Sequence, residues 1–134
     1  MARSKRESAL KEALEVQRRA SSCGFDWQDV EGVVRKLTEE ADELRAALVA
    51  GDDAQVHAEV GDLLFTIVNI ARFVRLDPED ALRKATERFR QRVRRVEEML
   101  RAGGETPASV RPEELDRLWE QAKGKTHSPG DRAK

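Results

Sequence analysis

Glu39, Glu40, Asp42 and Glu43 crowd the stretch KLTEEADEL between Lys36 and Leu44, and Glu59 and Asp62 follow in EVGD with the same three-residue spacing as Glu40 and Glu43. Residues three apart are near neighbours on a helix surface, so each pair sets two carboxylates on one edge. Asp42 points away from that edge and is expected to be solvated. If the two pairs face each other, four carboxylates repel: a pair about 5 Å apart at an effective dielectric near 20 costs on the order of 3 kcal/mol. Protonation, pairing with arginine, or a divalent cation can each relieve this. Oxygen-only ligands favour Mg²⁺, with Mn²⁺ as the alternative, and a chain whose one cysteine is Cys23 has no thiol cluster for a softer metal. The plainer reading of such a charge run is a solvated helix face.

Magnesium held by a few carboxylates keeps coordination positions for phosphate oxygens. That chemistry needs cationic side chains opposite the metal. Arg88 and Arg92 stand one helical turn apart around Phe89, and Trp119 and Lys123 repeat the spacing near the C-terminus, setting an aromatic surface beside a charge. The competing reading of the arginines is an exposed basic face shared with Arg83, Lys84, Arg90, Arg94 and Arg95; for Trp119 it is simple docking of the last helix. Lys36 faces the same way as Glu40 and is placed to pair with it.

The elements that must position these residues are helical almost throughout. Leu10, Ala13, Leu14 and Gln17 recur at three- and four-residue steps and predict a first helix from about Arg6 to Ser21. Gly24 is placed to end it, with Phe25 folding back onto its last turn. In DWQD, Asp26 is the expected cap of a second helix and Asp29 its capping-box acid. That helix carries Val30, Val33, Val34, Leu37, Ala41, Leu44 and Leu48 on one stripe and stops at GDD.

A third helix is predicted from about Ala54 to Val74. At roughly 100° per residue, Val60, Leu63, Leu64, Ile67, Val68, Ile70, Ala71 and Val74 cover about half of it, while Glu59, Asp62, Thr66 and Asn69 form a narrow polar seam. An antiparallel pair joined by the short GDDA turn would bring Glu40 and Glu43 opposite Glu59 and Asp62. LDPEDAL starts a fourth helix, with Asp77 as cap and Pro78 in the first helical position; it runs to about Arg101 with Leu82, Ala85, Phe89, Val93 and Val96 inward. GGETPASVRP is a loop, and PEELDRLWEQAK a short amphipathic last helix. The fold class is therefore all-α, of the four-helix-bundle type with a short C-terminal helix. Residues 1–8 read as an N-terminal extension, 9–123 as one domain, and 124–134 as a tail expected to be disordered because it has nothing to bury.

Composition bounds the function classes. The 134 residues suffice for one domain with a modest core. Hydrophobic residues make up 39 % and charged residues 38 %, so much of each helix must face water or line something polar. Lys plus Arg (25) nearly balances Asp plus Glu (26), which argues against nucleic acid or an acidic membrane as partner. No apolar run approaches the roughly 20 residues of a membrane span. The start MARSKRESALKEALE lacks a signal-peptide apolar region, and a lone Cys23 fits a reducing compartment, so a soluble cytoplasmic protein is expected.

EEADE followed by EVGD fits the EExxE…ExxD signature of the all-α nucleoside triphosphate pyrophosphohydrolases. Together with GFDW, GDLLF, VNIARF and LDPEDALRKATERFRQRVRRVEE, it resembles the MazG branch of that superfamily, over about Leu10 to Lys123. The resemblance implies metal ligands at Glu40, Glu43, Glu59 and Asp62. It puts Glu39 in the first acidic position, where it would hold a second metal or orient the attacking water. It also implies phosphate and substrate contacts at Arg88, Arg92, Trp119 and Lys123. The implied reaction is Mg²⁺-dependent hydrolysis of a nucleoside triphosphate, canonical or non-canonical, to the monophosphate and pyrophosphate, with Mg²⁺ bridging phosphate oxygens and acidifying the water that attacks the α-phosphorus. It implies a homodimer or homotetramer in which a second subunit completes the bundle. Two positions depart from the family pattern: Arg88, where related proteins often have Lys and a planar fork grips phosphate differently from a point charge, and Ala58, where an acid commonly precedes the ExxD glutamate. Many relatives carry two such domains in tandem against one here, so activity requiring a second domain is not implied.

The rival readings are a dUTP- or dCTP-preferring all-α pyrophosphatase, phosphoribosyl-ATP pyrophosphohydrolase, a non-catalytic helical interaction module, and a nucleic-acid-binding bundle. GFDW and the Trp119/Lys123 pair favour MazG over the related hydrolases. An interaction bundle has no need of mutually repelling acids, and a nucleic-acid binder would show salt-sensitive DNA binding without metal.

Overall fold

The computed structural model describes residues 7–126. In chain order the elements are α1 (Ala9–Ser22), α2 (Val30–Ala50), α3 (Asp53–Phe73), α4 (Pro78–Ala102), a 3₁₀ turn (Pro107–Ser109) and α5 (Pro112–Thr126). The described residues contain no strand, so the all-α expectation holds. Helix α5 continues three residues past Lys123; the rest of the expected tail and most of the expected N-terminal extension lie outside the described residues. Two compact units divide the chain, one ending at Ala81 and the other beginning at Leu82.

In the first unit, Ser8 caps α1 by accepting a hydrogen bond from the Lys11 amide at 3.2 Å. The helix ends as its sequence predicts. Gly24 takes the left-handed conformation (φ 93°), and the Phe25 amide turns back to the Ala20 carbonyl at 2.9 Å. Only the main chain of Phe25 folds back, however: its ring remains 79 % exposed.

The cap of α2 differs from expectation. Asp29, not Asp26, occupies the N-cap, with its carboxylate accepting from the Gly32 amide at 2.9 Å. Asp26 is unavailable for capping because its carboxylate is held by the Arg72 guanidinium, the Ser21 hydroxyl and the Trp27 amide.

Helix α2 reverses into α3 across two residues. Gly51 adopts φ 69°, and the Gly51 and Asp52 amides return to the Leu48 and Ala47 carbonyls, closing the end of α2. Asp52 immediately caps α3 through the Gln55 amide at 3.1 Å. So short a link forces the helices antiparallel. Both α1 and α2 pack on α3, with Val33 and Ala47 of α2 and Val68 and Ala71 of α3 buried. Each fully buried valine contributes about 1.5–3 kcal/mol. The core is incomplete within one chain: Val60, Leu64 and Ile67 of α3 and Val34 and Leu48 of α2 remain exposed.

The second unit is built from most of α4 with α5. Val96, Leu100, Leu118 and Ala122 form its buried cluster, with Met99, Val110, Leu115 and Trp119 packed around it. Asp77 accepts from the Glu79 amide at 3.0 Å, at the predicted start of α4. Phe89 and Leu82, expected to face inward, stay exposed in the single chain.

Candidate active site

The tight turn at Gly51 explains how the acids meet. Glu43 and Glu59 stand eight residues before and after Gly51, so at 1.5 Å per residue both lie about 12 Å from the turn on neighbouring helices. Glu40 is one turn further along α2. One carboxylate oxygen from each of Glu40, Glu43 and Glu59 lies within 4.8 Å of the others. Glu40 and Glu59 are only 3 % and 4 % exposed, while Glu43 is exposed.

The partners of these acids do not satisfy them. Glu40 pairs with Lys36 at 2.8 Å, as the helical spacing predicted. Glu59 accepts from Gln55 Nε2 at 2.6 Å. Yet the Oε2 atoms of both Glu40 and Glu59 are buried with no hydrogen-bond partner. Buried carboxylate oxygens lacking donors are costly, and the cost falls if a proton or a cation comes between them. The titration behaviour follows. The Lys36 ammonium holds Glu40 below the ordinary carboxylate range, and Glu40 in turn raises Lys36. The neighbouring Glu40 carboxylate, with burial added, pushes Glu59 up to about 7 against the lowering effect of Gln55. Near neutrality the pair thus keeps one proton, which a hard divalent ion with oxygen preference can replace. The three-carboxylate donor set fits such an ion.

Other residues predicted from sequence are distributed as follows. Asp62, one turn beyond Glu59, is exposed and does not join the three clustered carboxylates. Glu39 is exposed and does not join the three clustered carboxylates; it lines a recess of about 420 Å³ with Trp27, Arg35 and Lys36. Asp42 is exposed, 3.9 Å from Arg45, as its position predicted. In the second unit, Arg92 lies with its guanidinium carbon 5.9 Å from the centroid of the Trp119 ring, and Phe89 lies 5.4 Å from the same ring at 54°. Arg88, one turn before Arg92, is exposed; Lys123, one turn after Trp119, is half-buried. The cation beside the Trp119 ring is thus Arg92 of α4, where the sequence spacing had pointed to Lys123.

Two features escaped the sequence reading. Gln55 sits four residues before Glu59, a spacing that could have flagged it as a helical partner. The second is a clamp: Arg72 Nη1 and Nη2 donate to the two Asp26 oxygens at 3.0 and 2.6 Å, and Ser21 adds a bond at 2.7 Å. Arg72 holds Asp26 far below the ordinary carboxylate range. Its contribution to stability is therefore fully present above the usual aspartate range and is lost progressively as pH falls below that range toward the depressed pKa. The clamp fixes the segment between α1 and α2 to α3.

The central hairpin of this all-α chain thus buries paired glutamates in a carboxylate cluster whose donor set suits a hard cation. Comparison with known proteins makes this specific. Residues 28–97 match the MazG nucleotide pyrophosphohydrolase domain, and the chain belongs to that family. It is 47 % identical over 116 residues to the nucleoside triphosphate pyrophosphohydrolase/pyrophosphatase MazG of Thermotoga maritima, covering 87 % of this chain and 44 % of that protein. It is 41 % identical over 119 residues to the nucleoside triphosphate pyrophosphohydrolase of Escherichia coli K12, again covering 44 % of the relative. A third relative, the uncharacterized protein YabN of Bacillus subtilis, is 39 % identical over 74 residues. The chain thus spans under half the length of the first two. Among the described residues, no helix is long and apolar enough to cross a membrane.

Proposed function

We propose that this chain hydrolyses nucleoside triphosphates to the monophosphate and pyrophosphate with Mg²⁺, Mn²⁺ serving as a substitute. The observation that carries this reading is the pair of buried, partnerless Oε2 atoms on Glu40 and Glu59 beside Glu43, in a chain of the MazG family. Glu40, Glu43 and Glu59 hold the cation, and Asp62 joins them as the fourth ligand. The bound ion supplies charge neutralisation at the phosphate oxygens and activation of water. Glu39 orients the attacking water. Arg88, Arg92 and Lys123 hold the terminal phosphates, which leave together as pyrophosphate, and Trp119 supplies an apolar surface beside them.

The test is to incubate the purified chain with canonical, deaminated and oxidised nucleoside triphosphates and Mg²⁺, following products by phosphorus NMR. Monophosphate and pyrophosphate in equal amounts are expected, with chelation stopping the reaction. Diphosphate and orthophosphate as products would contradict the reading.

The exposed apolar residues of α2 and α3 support assembly as a homodimer or a homotetramer built from dimers, since a second copy would complete the core. Light scattering at micromolar concentration should give at least twice 15.2 kDa. A monomer with full activity would rule assembly out as a requirement.

A further inference from the structure

Helices α1, α2 and α4 end in the same way. A glycine in the left-handed conformation returns its amide three residues, and the next amide reaches back five: Gly24 with Phe25, Gly51 with Asp52, Gly104 with Glu105. The end of α3 makes the same two bonds, Arg75 to the Arg72 carbonyl at 3.2 Å and Leu76 to the Ala71 carbonyl at 2.8 Å. Here, however, the left-handed residue is Arg75, with φ 60°. A Cβ bears a steric cost in that conformation, which is why glycine is usual there. An arginine kept at such a place points to a use for its side chain.

Arg75 lines a recess of about 640 Å³ between α1 and the end of α3, within the size range of small-molecule sites. Lys11 and Arg18, seven residues apart and therefore on one face of α1, line it too. All three cations are exposed, and among the described residues none of them forms an ion pair. Lys11 stands four residues before Glu15, a spacing at which helical ion pairs form, and is still unpaired. Elsewhere arginines find acids readily, as Arg72, Arg90, Arg94 and Arg117 do. Arg72 is a fixed part of the wall: its outer nitrogens are taken by Asp26 and Asn69, and its Nε is buried with no partner.

The rest of the lining narrows the ligand. The acids at the recess are Glu7, Glu15 and Asp77, and Asp77 already accepts from the Glu79 amide. Glu7 and Glu15 oppose any anion, so a singly charged one gains little there. An anion with several linked, highly charged groups outweighs them by engaging Lys11, Arg18 and Arg75 together. Guanidinium forks and a lysine point charge suit phosphate oxygens, and each phosphate group brings more charge than a carboxylate. No aromatic ring lines the recess, and its apolar share is Leu14 and Leu76, so recognition is by charge and not by stacking. We propose that this recess binds an oligophosphate of the pyrophosphate class. Arg72 follows Glu59 by thirteen residues, about 20 Å along α3, so the site is separate from the carboxylate cluster and does not rest on the reaction proposed above.

The test is a titration of the metal-free full chain with pyrophosphate at constant ionic strength, followed by ¹H–¹⁵N NMR. Saturable shifts are expected in the amides of Lys11, Arg18, Arg75 and Leu76 and in the Arg75 Nε–H. Arg75→Gly should weaken binding at the recess about tenfold or more, and Arg18→Ala by a similar factor. Because glycine suits the left-handed turn, Arg75→Gly should also melt at or above the temperature of the parent. Shifts at Arg88, Arg92 and Lys123 belong to the active site and should persist in both variants. Shifts confined to those three residues would overturn the assignment, as would an equal response to sodium chloride of matched ionic strength. So would an Arg75→Gly variant that binds pyrophosphate like the parent, or one that melts well below it, since Arg75 would then be structural. Citrate binding as tightly as pyrophosphate would hand the recess to polycarboxylates. Shifts at Lys11, Arg18 and Arg75 on dilution, with no response to pyrophosphate, would mean that a second copy of the chain covers the recess and would also refute the proposal.

Discussion

Replacing Glu59 with Gln is expected to lower turnover by about 100-fold or more at saturating Mg²⁺, because a ligand contributing several kcal/mol of charge stabilisation is lost and each 1.36 kcal/mol is a factor of ten. The fold should survive. Glu59 makes a hydrogen bond to Gln55 that Gln can still accept, and its main conflict is with Glu40, which the substitution relieves. The metal-free variant should therefore melt at or above the temperature of the parent at pH 8. Asp62→Asn tests the fourth position: a comparable loss places Asp62 on the cation despite its exposure, and near-normal activity at saturating Mg²⁺ removes it from the ligand set. A Glu59→Gln variant with near-normal turnover would refute the metal site itself.

Cation binding is expected to expel a proton below neutrality. In the metal-free protein Glu59 titrates at about 7, raised from an ordinary 4.5 chiefly by the neighbouring Glu40 carboxylate. A cation needs that carboxylate charged, so its affinity should rise about tenfold per pH unit below 7 and level off above about 8. Titration calorimetry with Mn²⁺ in two buffers of different ionisation enthalpy should find close to one proton released per ion at pH 6 and close to none at pH 8.5. The same group gives the metal-free protein an opposite trend. A raised pKa means Glu59 contributes stability that is fully present below 4.5 and is lost as pH rises through about 7. Metal-free stability should thus fall over the range in which cation affinity climbs. A pH-independent affinity between 5.5 and 8.5 would mean that the cation binds away from Glu59.

The hairpin that carries the acids is legible in the sequence because everything that fixes it is local. Gly51 and Asp52 mark the reversal, and the three-residue spacing of Glu40 and Glu43 survives helix formation unchanged. The pairing of Lys36 with Glu40 is legible for the same reason. What the sequence hides is long-range competition for a side chain. Asp26 has the spacing of a helix cap, but an arginine 46 residues away takes both of its oxygens, and Asp29 caps in its place. Neither hydrophobic period nor cap chemistry carries information about that partner. Burial is hidden too: the apolar stripe on α3 correctly predicts a helix, yet only packing decides that Val68 is covered while Leu64 is not. Gln17 reads as a polar member of the first helix's inner stripe, and nothing local reveals that its oxygen ends buried without a partner.

The site of bond cleavage tests the whole account most directly. If Arg88, Arg92 and Lys123 hold the terminal phosphates as the leaving group, and the carboxylate-held cation and Glu39 serve the attacking water, displacement occurs at the α-phosphorus. Hydrolysis in ¹⁸O-water, with products resolved by mass spectrometry, should then place the label in the nucleoside monophosphate and leave the pyrophosphate unlabelled. Label in pyrophosphate would put the attack at the β-phosphorus, and label in orthophosphate with a nucleoside diphosphate product would put it at the terminal phosphate; either result contradicts the roles given to these residues.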